Sequence, residues 1–121
     1  MSAWTQDELG ALDRTEEIRV AGRNQDGSPR PLVIVWPVVV GGKLYVRSVR
    51  GVDGRWYQGV IRHGEGVIAW DGQIRDVTYI PDNSADDQID AAYYAKYGDG
   101  PDSDAITAAR AKATTLRVEP R

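Results

Sequence analysis

The stretch "LVIVWPVVVGGKLYVRSVRGVDGRWYQGV", Leu32 to Val60, decides the fold. Its first part is β-branched and almost wholly apolar, which predicts a strand covered on both faces over much of its length. Pro37 cannot donate to a ladder, so a bulge or an unpaired edge is expected there. Gly41 and Gly42 predict a tight turn into a further strand. A Gly-rich loop then leads into "RWYQGVIR", for which one or two helical turns are expected.

The segments before this stretch predict a helix and a hairpin. "TQDE" at Thr5–Glu8 has the pattern of a capping box, so a short helix is expected within residues 1–14. "EEIRVAGR" alternates apolar and charged residues, which is typical of a half-buried strand. Asp26 and Gly27 form a strong hairpin signal between that strand and the apolar one.

The segments after it predict a second hairpin, a helix and a closing strand. "GVIAW" and "QIRDVTYI" are joined by Asp71 and Gly72, a turn pair typical of hairpins. Residues 84–97 have the best helical pattern, with Ser84 as the expected N-cap. A strand is expected over residues 113–119. A strand that returns after a helix is one way in which a small antiparallel sheet removes an edge.

Together these elements predict one α+β domain over residues 1–121, with its main strands between residues 16 and 80. The natural architecture is a six-stranded antiparallel β-barrel with helices packed outside it.

Charge and composition narrow the classes of function. The net charge is −3, but residues 14–62 carry nine Arg and Lys against four Asp and Glu, and residues 63–109 carry two against ten. A basic half on an acidic chain suits a small anionic ligand better than nucleic acid, although charges that simply lie on solvated faces remain an alternative. The chain has no cysteine, which excludes disulfides and thiolate chemistry. Without an apolar leader or a long apolar span, we expect a cytoplasmic protein with no membrane partner.

Three short features then occur in an order that is typical of one group of enzymes. A Gly-x-Pro-Arg turn at 27–30 leads into the apolar strand, a later strand ends in Arg47 and Ser48, and a loop is followed by Trp56 and Tyr57. In this order the chain resembles the split β-barrel oxidoreductases, the group that is pyridoxamine-phosphate-oxidase-like and deazaflavin-dependent nitroreductase-like. It is also similar to a small bacterial family of unknown function.

The resemblance runs from about Ile18 to Val118 and implies more than the residues alone do. It implies an α+β fold, a six-stranded antiparallel split β-barrel with short flanking helices. It also implies a homodimer, FMN or a deazaflavin as cofactor, and a nitroreductase-like oxidoreductase that acts on a small organic molecule. The chain departs from the group after Tyr57, where "QGVIRHGEG" replaces an Asn-Leu-x-x-Asn-Pro helix end, so a protein without a cofactor remains an alternative.

The resemblance also implies the residues of the site. In that group the strand end and the loop after it bind the cofactor phosphate, and the following helix packs beside the cofactor or across the dimer interface. The implied cofactor-binding residues are Arg47, Ser48, Arg50, Gly51, Trp56 and Tyr57.

The residues themselves leave alternatives open at these positions. Arginine forks suit phosphate oxygens, yet alternation along a strand places Arg47 with Tyr45 on one face and Ser48 on the other. Both residues can therefore face one ligand only if the strand ends at Arg47. Trp56 and Tyr57 could stack on a flat ring, or could instead be core or dimer contacts.

His63 is the single histidine and the candidate general acid or base, with Tyr57 as the second catalytic candidate. A surface histidine at a helix end is the alternative interpretation of His63. Three classes of function follow: a flavin- or deazaflavin-dependent oxidoreductase, a cofactor-free isomerase or lyase that uses His63, and a non-catalytic protein that binds a small anion. No metal site is expected.

Overall fold

The computed structural model describes residues 3–121 and confirms the α+β class. Over these residues the chain forms seven strands in one antiparallel sheet, five α-helices and a short 3-10 turn. The strands are β1 (Ile18–Gly22), β2 (Val33–Val35), β3 (Val38–Val40), β4 (Lys43–Val46), β5 (Glu65–Trp70), β6 (Gln73–Pro81) and β7 (Leu116–Pro120). The helices are α1 (Gln6–Arg14), α2 (Arg55–His63), α3 (Asp86–Tyr97), α4 (Pro101–Thr107) and α5 (Ala109–Lys112), and the 3-10 turn is Gly51–Asp53.

The order of the strands shows that the sheet curls into a split barrel. That order is β2-β1-β5-β6-β7-β4-β3, so β2 and β3 lie at opposite edges. Only Trp36 and Pro37 separate the two strands along the chain. Because a residue spans at most about 3.6 Å, the ends of β2 and β3 lie within about 11 Å of each other. The two edges of the sheet therefore meet there, which confirms the split β-barrel.

Two expectations for the apolar run need correction. The chain has seven strands rather than six, because Pro37, which has no N–H to give to a ladder, divides the run into β2 and β3. The run is also not covered on both faces: Leu32, Val33 and Ile34 are 40%, 39% and 48% exposed. The reason is that β2 is an edge strand whose outer face has no covering element among residues 3–121.

The predicted hairpins and the closing strand are confirmed. Asp71 and Gly72 join β5 to β6 and both have positive φ, as a tight hairpin turn requires. The loop that contains Asp26 and Gly27 joins β1 to β2. The last strand, β7, pairs with both β6 and β4 and so links the two halves of the sheet.

The helix ends agree with the sequence in one case and differ in another. The capping box between Thr5 and Glu8 is present at α1, and residues 1 and 2 of the predicted helical segment lie outside the described residues. The prediction that Ser84 caps α3 is wrong: the N-cap is Ala85, without a side-chain bond. Ser84 instead donates its N–H and its hydroxyl to Asp82, which holds the turn before the helix.

The core has two parts, one inside the barrel and one beneath α3. Apolar side chains from the strands fill the barrel, closed by Leu12 of α1 and Val60 of α2. A second cluster lies between the outer face of β3 and β4 and the C-terminal helices; its buried members are Val38, Tyr45, Ile89, Tyr93, Ile106 and Ala111.

Helix α3 fixes the segment in which the chain passes from one edge of the sheet to the other. The Tyr93 hydroxyl donates to the Trp36 carbonyl at 2.8 Å. The Tyr97 hydroxyl and the Lys96 ammonium both donate to the Pro37 carbonyl, at 2.7 and 2.9 Å. These bonds satisfy carbonyls that no ladder reaches, and so hold the split of the barrel in one geometry. No helix among residues 3–121 has the length and apolar character needed to cross a membrane.

Candidate functional site

A groove of about 320 Å³ lies between the edge strand β2 and the start of α2. Its volume is at the lower end of the range for ligand sites. Three segments supply its walls: β2, the residues that follow β4, and the first turn of α2. The lining residues are Val33, Ile34, Ser48, Val49, Arg50, Gly54, Arg55 and Trp56.

Ser48 supplies a buried hydroxyl to this groove. The residue is 1% exposed, and its backbone is fixed at both ends: its N–H donates to the Thr114 hydroxyl at 2.8 Å, and its carbonyl accepts from the Gly51 N–H at 2.9 Å. Its hydroxyl oxygen lies beside Gly54, which also lines the groove. A hydroxyl can both donate to and accept from a ligand, so Ser48 supplies a polar group to the wall of the groove.

The N-terminus of α2 lies beside that hydroxyl. Its N-cap is Gly54, which has no side chain to cap the helix, so the first-turn N–H groups receive no side-chain acceptor from it. A Cβ placed on Gly54 would lie 2.3 Å from Ser48 Oγ, so glycine is what allows the two to approach. The partial positive charge of a helix N-terminus favours an anion at this position.

Two arginines complete a positive surface around the groove. Arg50 and Arg55 are exposed, and neither has a carboxylate within salt-bridge distance in the part of the chain that the structure describes. Their guanidinium groups are free to form bidentate bonds with phosphate oxygens. Sequence reasoning included Arg50 but missed Arg55. The signal for Arg55 was its position directly after Gly54, at the first residue of a helix that follows a Gly-rich loop.

The two adjacent aromatics have different environments. Both are half-buried and pack against the barrel core, but only Trp56 also lines the groove. Their rings meet edge to face, with centroids 6.2 Å apart. Gly51 also lies outside the lining. Its φ of +68° makes the turn, and a Cβ placed on it would lie 3.0 Å from the Arg110 carbonyl oxygen. Trp56 is thus the aromatic wall of the groove.

Arg47 lies on the other side of the chain from Ser48, as the alternation of the strand predicts. Its side chain has no exposed area and faces α3, where its guanidinium donates to Asp90 at 2.5 Å and to Asp86 at 3.3 Å. Its Nε donates to the Thr115 hydroxyl at 2.8 Å. These contacts occupy the guanidinium, which is neither solvated nor directed to the groove. We therefore leave Arg47 out of the residues that contact a ligand.

The neighbours of Asp90 keep its carboxylate ionised. Partial burial opposes ionisation of Asp90, but hydrogen bonds and charges from Lys112 and Arg47 outweigh it, and the net effect lowers its pKa. Asp90 bonds Lys112 at 2.8 Å as well as Arg47. The cluster thus ties β4, α3 and α5 together behind the loop that carries Ser48.

His63 is distant from the groove. It is the last residue of α2, is exposed, and does not line the groove. Seven residues separate it from Trp56, which corresponds to about 10 Å along the helix axis. Glu65, two residues after His63, forms an ion pair with Arg121. Within residues 3–121, no group of three or more His, Asp or Glu side chains could hold a metal ion.

Comparison with solved structures shows the same fold in proteins of very low sequence identity. The conserved hypothetical protein Rv2991 from Mycobacterium tuberculosis superposes with a TM-score of 0.59 at 14% identity, covering 98% of this chain and 80% of that one. An F420 reductase gives 0.56 at 14% identity, covering 98% and 94%. A candidate 5-nitroimidazole antibiotic resistance protein from Bacteroides thetaiotaomicron VPI-5482 gives 0.57 at 12% identity, covering 99% and 81%.

Sequence comparison identifies the family. No curated protein matches the chain at a significant level. The model of a family described as "Uncharacterized protein conserved in bacteria (DUF2255)" matches residues 8–118, which include every strand of the sheet except the last two residues of β7. The chain therefore belongs to this bacterial family, DUF2255, and has the fold of the deazaflavin-dependent nitroreductase-like proteins.

Proposed function

We propose that the groove between β2 and α2 binds the phosphate of a flavin or deazaflavin cofactor, and that the protein is a nitroreductase-like oxidoreductase acting on a small organic molecule. The observation that carries this proposal is the Ser48 hydroxyl on the groove lining, beside the N-terminus of α2, which has no side-chain cap. An anion with several acceptor oxygens would satisfy both groups at once.

The charges around the hydroxyl support a phosphate in particular. Arg50 and Arg55 lie on the lining and can each donate two bonds to one phosphate group. Each charge-assisted bond contributes on the order of 1.5–3 kcal/mol. Because both side chains are exposed, the lower end of that range applies to each of them.

The rest of the lining suits a flat, partly apolar ring. Trp56 offers an aromatic wall, and Val33, Ile34 and Val49 are apolar side chains on the remaining walls. The redox chemistry would be that of the cofactor, while these residues bind and orient it and exclude water from its ring. The solved structures of similar fold include an F420 reductase and a candidate nitroimidazole resistance protein, which favours this class of reaction.

The other two classes of function are weaker. No contact of His63 supports a cofactor-free isomerase or lyase in this groove, because His63 lies outside the lining. A non-catalytic anion-binding protein would use the same Ser48, Arg50 and Arg55, so it is distinguished by its ligand. Such a protein would bind inorganic phosphate as tightly as FMN, whereas a cofactor site gains further affinity from the ring contacts.

Affinity measurements on matched arginine variants test the proposal. Arg50→Met should weaken the binding of FMN or of a deazaflavin by about tenfold, since it removes one exposed charge-assisted contact. Arg62→Met is the matched control, because Arg62 is an exposed arginine on the same helix that does not line the groove. Equal losses for the two variants would mean that only the general charge of the helix matters, and would contradict the proposed site.

A further inference from the structure

A second groove, of about 360 Å³, lies between the segment that joins α1 to β1, the crossover from β2 to β3, the end of α3 and the start of α4. It has no residue in common with the first groove, so nothing about it depends on the proposed cofactor. Two aromatic rings form its apolar part, and one amine and three carboxylates form its polar part. The lining residues are Glu16, Glu17, Trp36, Lys96, Tyr97 and Asp102.

The amine of Lys96 is held in a defined orientation in this groove. It donates to the Leu12 carbonyl at 3.2 Å and to the Pro37 carbonyl at 2.9 Å. It also lies 5.3 Å from the centre of the Tyr97 ring. An uncharged amine has two N–H bonds and one lone pair. Since the two carbonyls account for both N–H bonds, the lone pair occupies the remaining tetrahedral position of the nitrogen, on a residue that lines the groove.

Burial increases the fraction of this amine that is uncharged at neutral pH. It lowers the pKa of Lys96 to about 8, although the charges of Asp13 and Glu16 act in the opposite direction. At pH 7 roughly a tenth of such an amine is uncharged, about two hundredfold more than for an ordinary lysine. A desolvated lysine of this kind is the usual nucleophile of enzymes that form imines with carbonyl compounds.

The groups that face Lys96 come from every element packed around it. Burial raises the pKa of Tyr97, so that phenol stays neutral and does not compete as a nucleophile. The carboxylates can pass protons to and from a reacting carbonyl oxygen. The charged and titratable groups concerned are Asp13 of α1, Glu16 and Glu17 before β1, Tyr93 and Tyr97 of α3, and Asp102 of α4.

We infer that this groove takes a small uncharged aldehyde or ketone, with which the Lys96 amine forms a protonated imine. The nitrogen lone pair attacks the carbonyl carbon, and one of the two N–H protons passes from nitrogen to oxygen to give a neutral carbinolamine. A second proton, taken from solvent by way of a lining carboxylate, converts the hydroxyl into water. The water leaves as the nitrogen lone pair forms the C=N bond, and the protonated imine keeps one N–H for the Pro37 carbonyl. The reaction needs no oxidant or reductant. Three lining carboxylates against one amine disfavour anionic carbonyl compounds.

The unmodified protein provides its own controls, because its only lysines are Lys43, Lys96 and Lys112. Lys43 is exposed at the start of β4, and Lys112 bonds Asp90, which raises the pKa of Lys112. The protein is treated at pH 7 with glycolaldehyde and cyanoborohydride, and modification is located by peptide mass spectrometry. We expect Lys96 to react at least about tenfold faster than Lys43, with a rate that levels off above pH 8. A Lys43 rate equal to or above that of Lys96 overturns the inference.

A second measurement separates a shaped groove from an amine that is merely reactive. Glyoxylate, an anionic aldehyde, replaces glycolaldehyde, and the ratio of the two rates is compared at Lys96 and at Lys43. The preference for glycolaldehyde should be several-fold greater at Lys96, and Asp102→Asn should reduce it. The same ratio at both lysines would show that the groove does not select the carbonyl compound, and would contradict the proposed specificity.

Discussion

Arg47→Met tests whether the arginine at the end of β4 belongs to the scaffold or to the ligand site. Methionine keeps an unbranched apolar stem but removes the guanidinium group and its five donors. In the folded protein the guanidinium bonds Asp86, Asp90 and Thr115 with no exposed area of its own. Its loss therefore removes one ion-pair partner from each of two carboxylates.

The size of the effect follows from the burial of the partners. Breaking a fully buried ion pair costs about 3–5 kcal/mol. The side chains of Asp86 and Asp90 remain 21% and 23% exposed, so water can reach them and the lower end applies. We expect a loss of about 3 kcal/mol in the free energy of unfolding. For a chain of this length that is a fall of roughly 12 °C in Tm.

Thermal unfolding followed by circular dichroism gives this value directly, with Arg50→Met as the matched control. Arg50 is exposed and unpaired in the described part of the chain, so its replacement should change Tm by less than about 2 °C. Cofactor affinity should show the reverse pattern at temperatures where both variants are folded. An Arg47→Met protein with unchanged Tm and weakened cofactor binding would refute the structural role assigned to Arg47.

Three further predictions concern packing, pH and assembly. Gly54→Ala should lower the free energy of unfolding in urea by about 1–2 kcal/mol, because its Cβ would lie 2.3 Å from Ser48 Oγ. Adding Ser48→Ala should restore most of that free energy. Additive losses in the double variant would contradict the contact. The pKa of Lys96 is about 8 in the folded protein and 10.5 in the unfolded chain. Between these two pH values the unfolded chain binds more protons than the folded one, so the free energy of unfolding rises with pH there. Between pH 7 and 9 the wild type should gain about 0.5–1 kcal/mol over Lys96→Met, after a reduction for partial exposure, and a constant difference would argue against the shift. The homodimer remains a prediction. Ile34 lies on the edge strand β2 and is 48% exposed, so Ile34→Lys should shift the sedimentation coefficient from that of a dimer to that of a monomer. A wild type that is monomeric at micromolar concentration would contradict the prediction.

The fold could be predicted from the sequence because its signals are local. Alternation, the Asp71-Gly72 turn and the capping box at Thr5 each act within a few residues, and all three are present in the structure. The division of the apolar run at Pro37 was only partly visible, since proline marks a break but not which strands lie on either side of it. Strand β2 pairs with β1 and strand β3 pairs with β4, and these pairings depend on the closure of the whole sheet.

The candidate site was harder to predict because burial and partners are properties of the tertiary structure. Ser48 and Arg47 are adjacent and both polar, yet one faces the groove and the other faces α3. Alternation gave the opposite directions, but the carboxylates that bind Arg47 come from a helix some forty residues later. The sequence also does not distinguish the adjacent Trp56 and Tyr57, because which of the two faces the groove depends on how α2 packs; only Trp56 lines the groove.

The central claim is that the groove beside Ser48 and Arg50 holds a phosphate-bearing flavin or deazaflavin, and calorimetric titration tests it most directly. Wild-type protein is titrated with FMN and with a deazaflavin, in parallel with the Ser48→Ala/Arg50→Met double variant. Our account expects saturable binding of one of these cofactors to the wild type, at one per chain, and binding at least about a hundredfold weaker to the double variant. Absence of binding of either cofactor to the wild type, or equal affinity of the double variant, would contradict it.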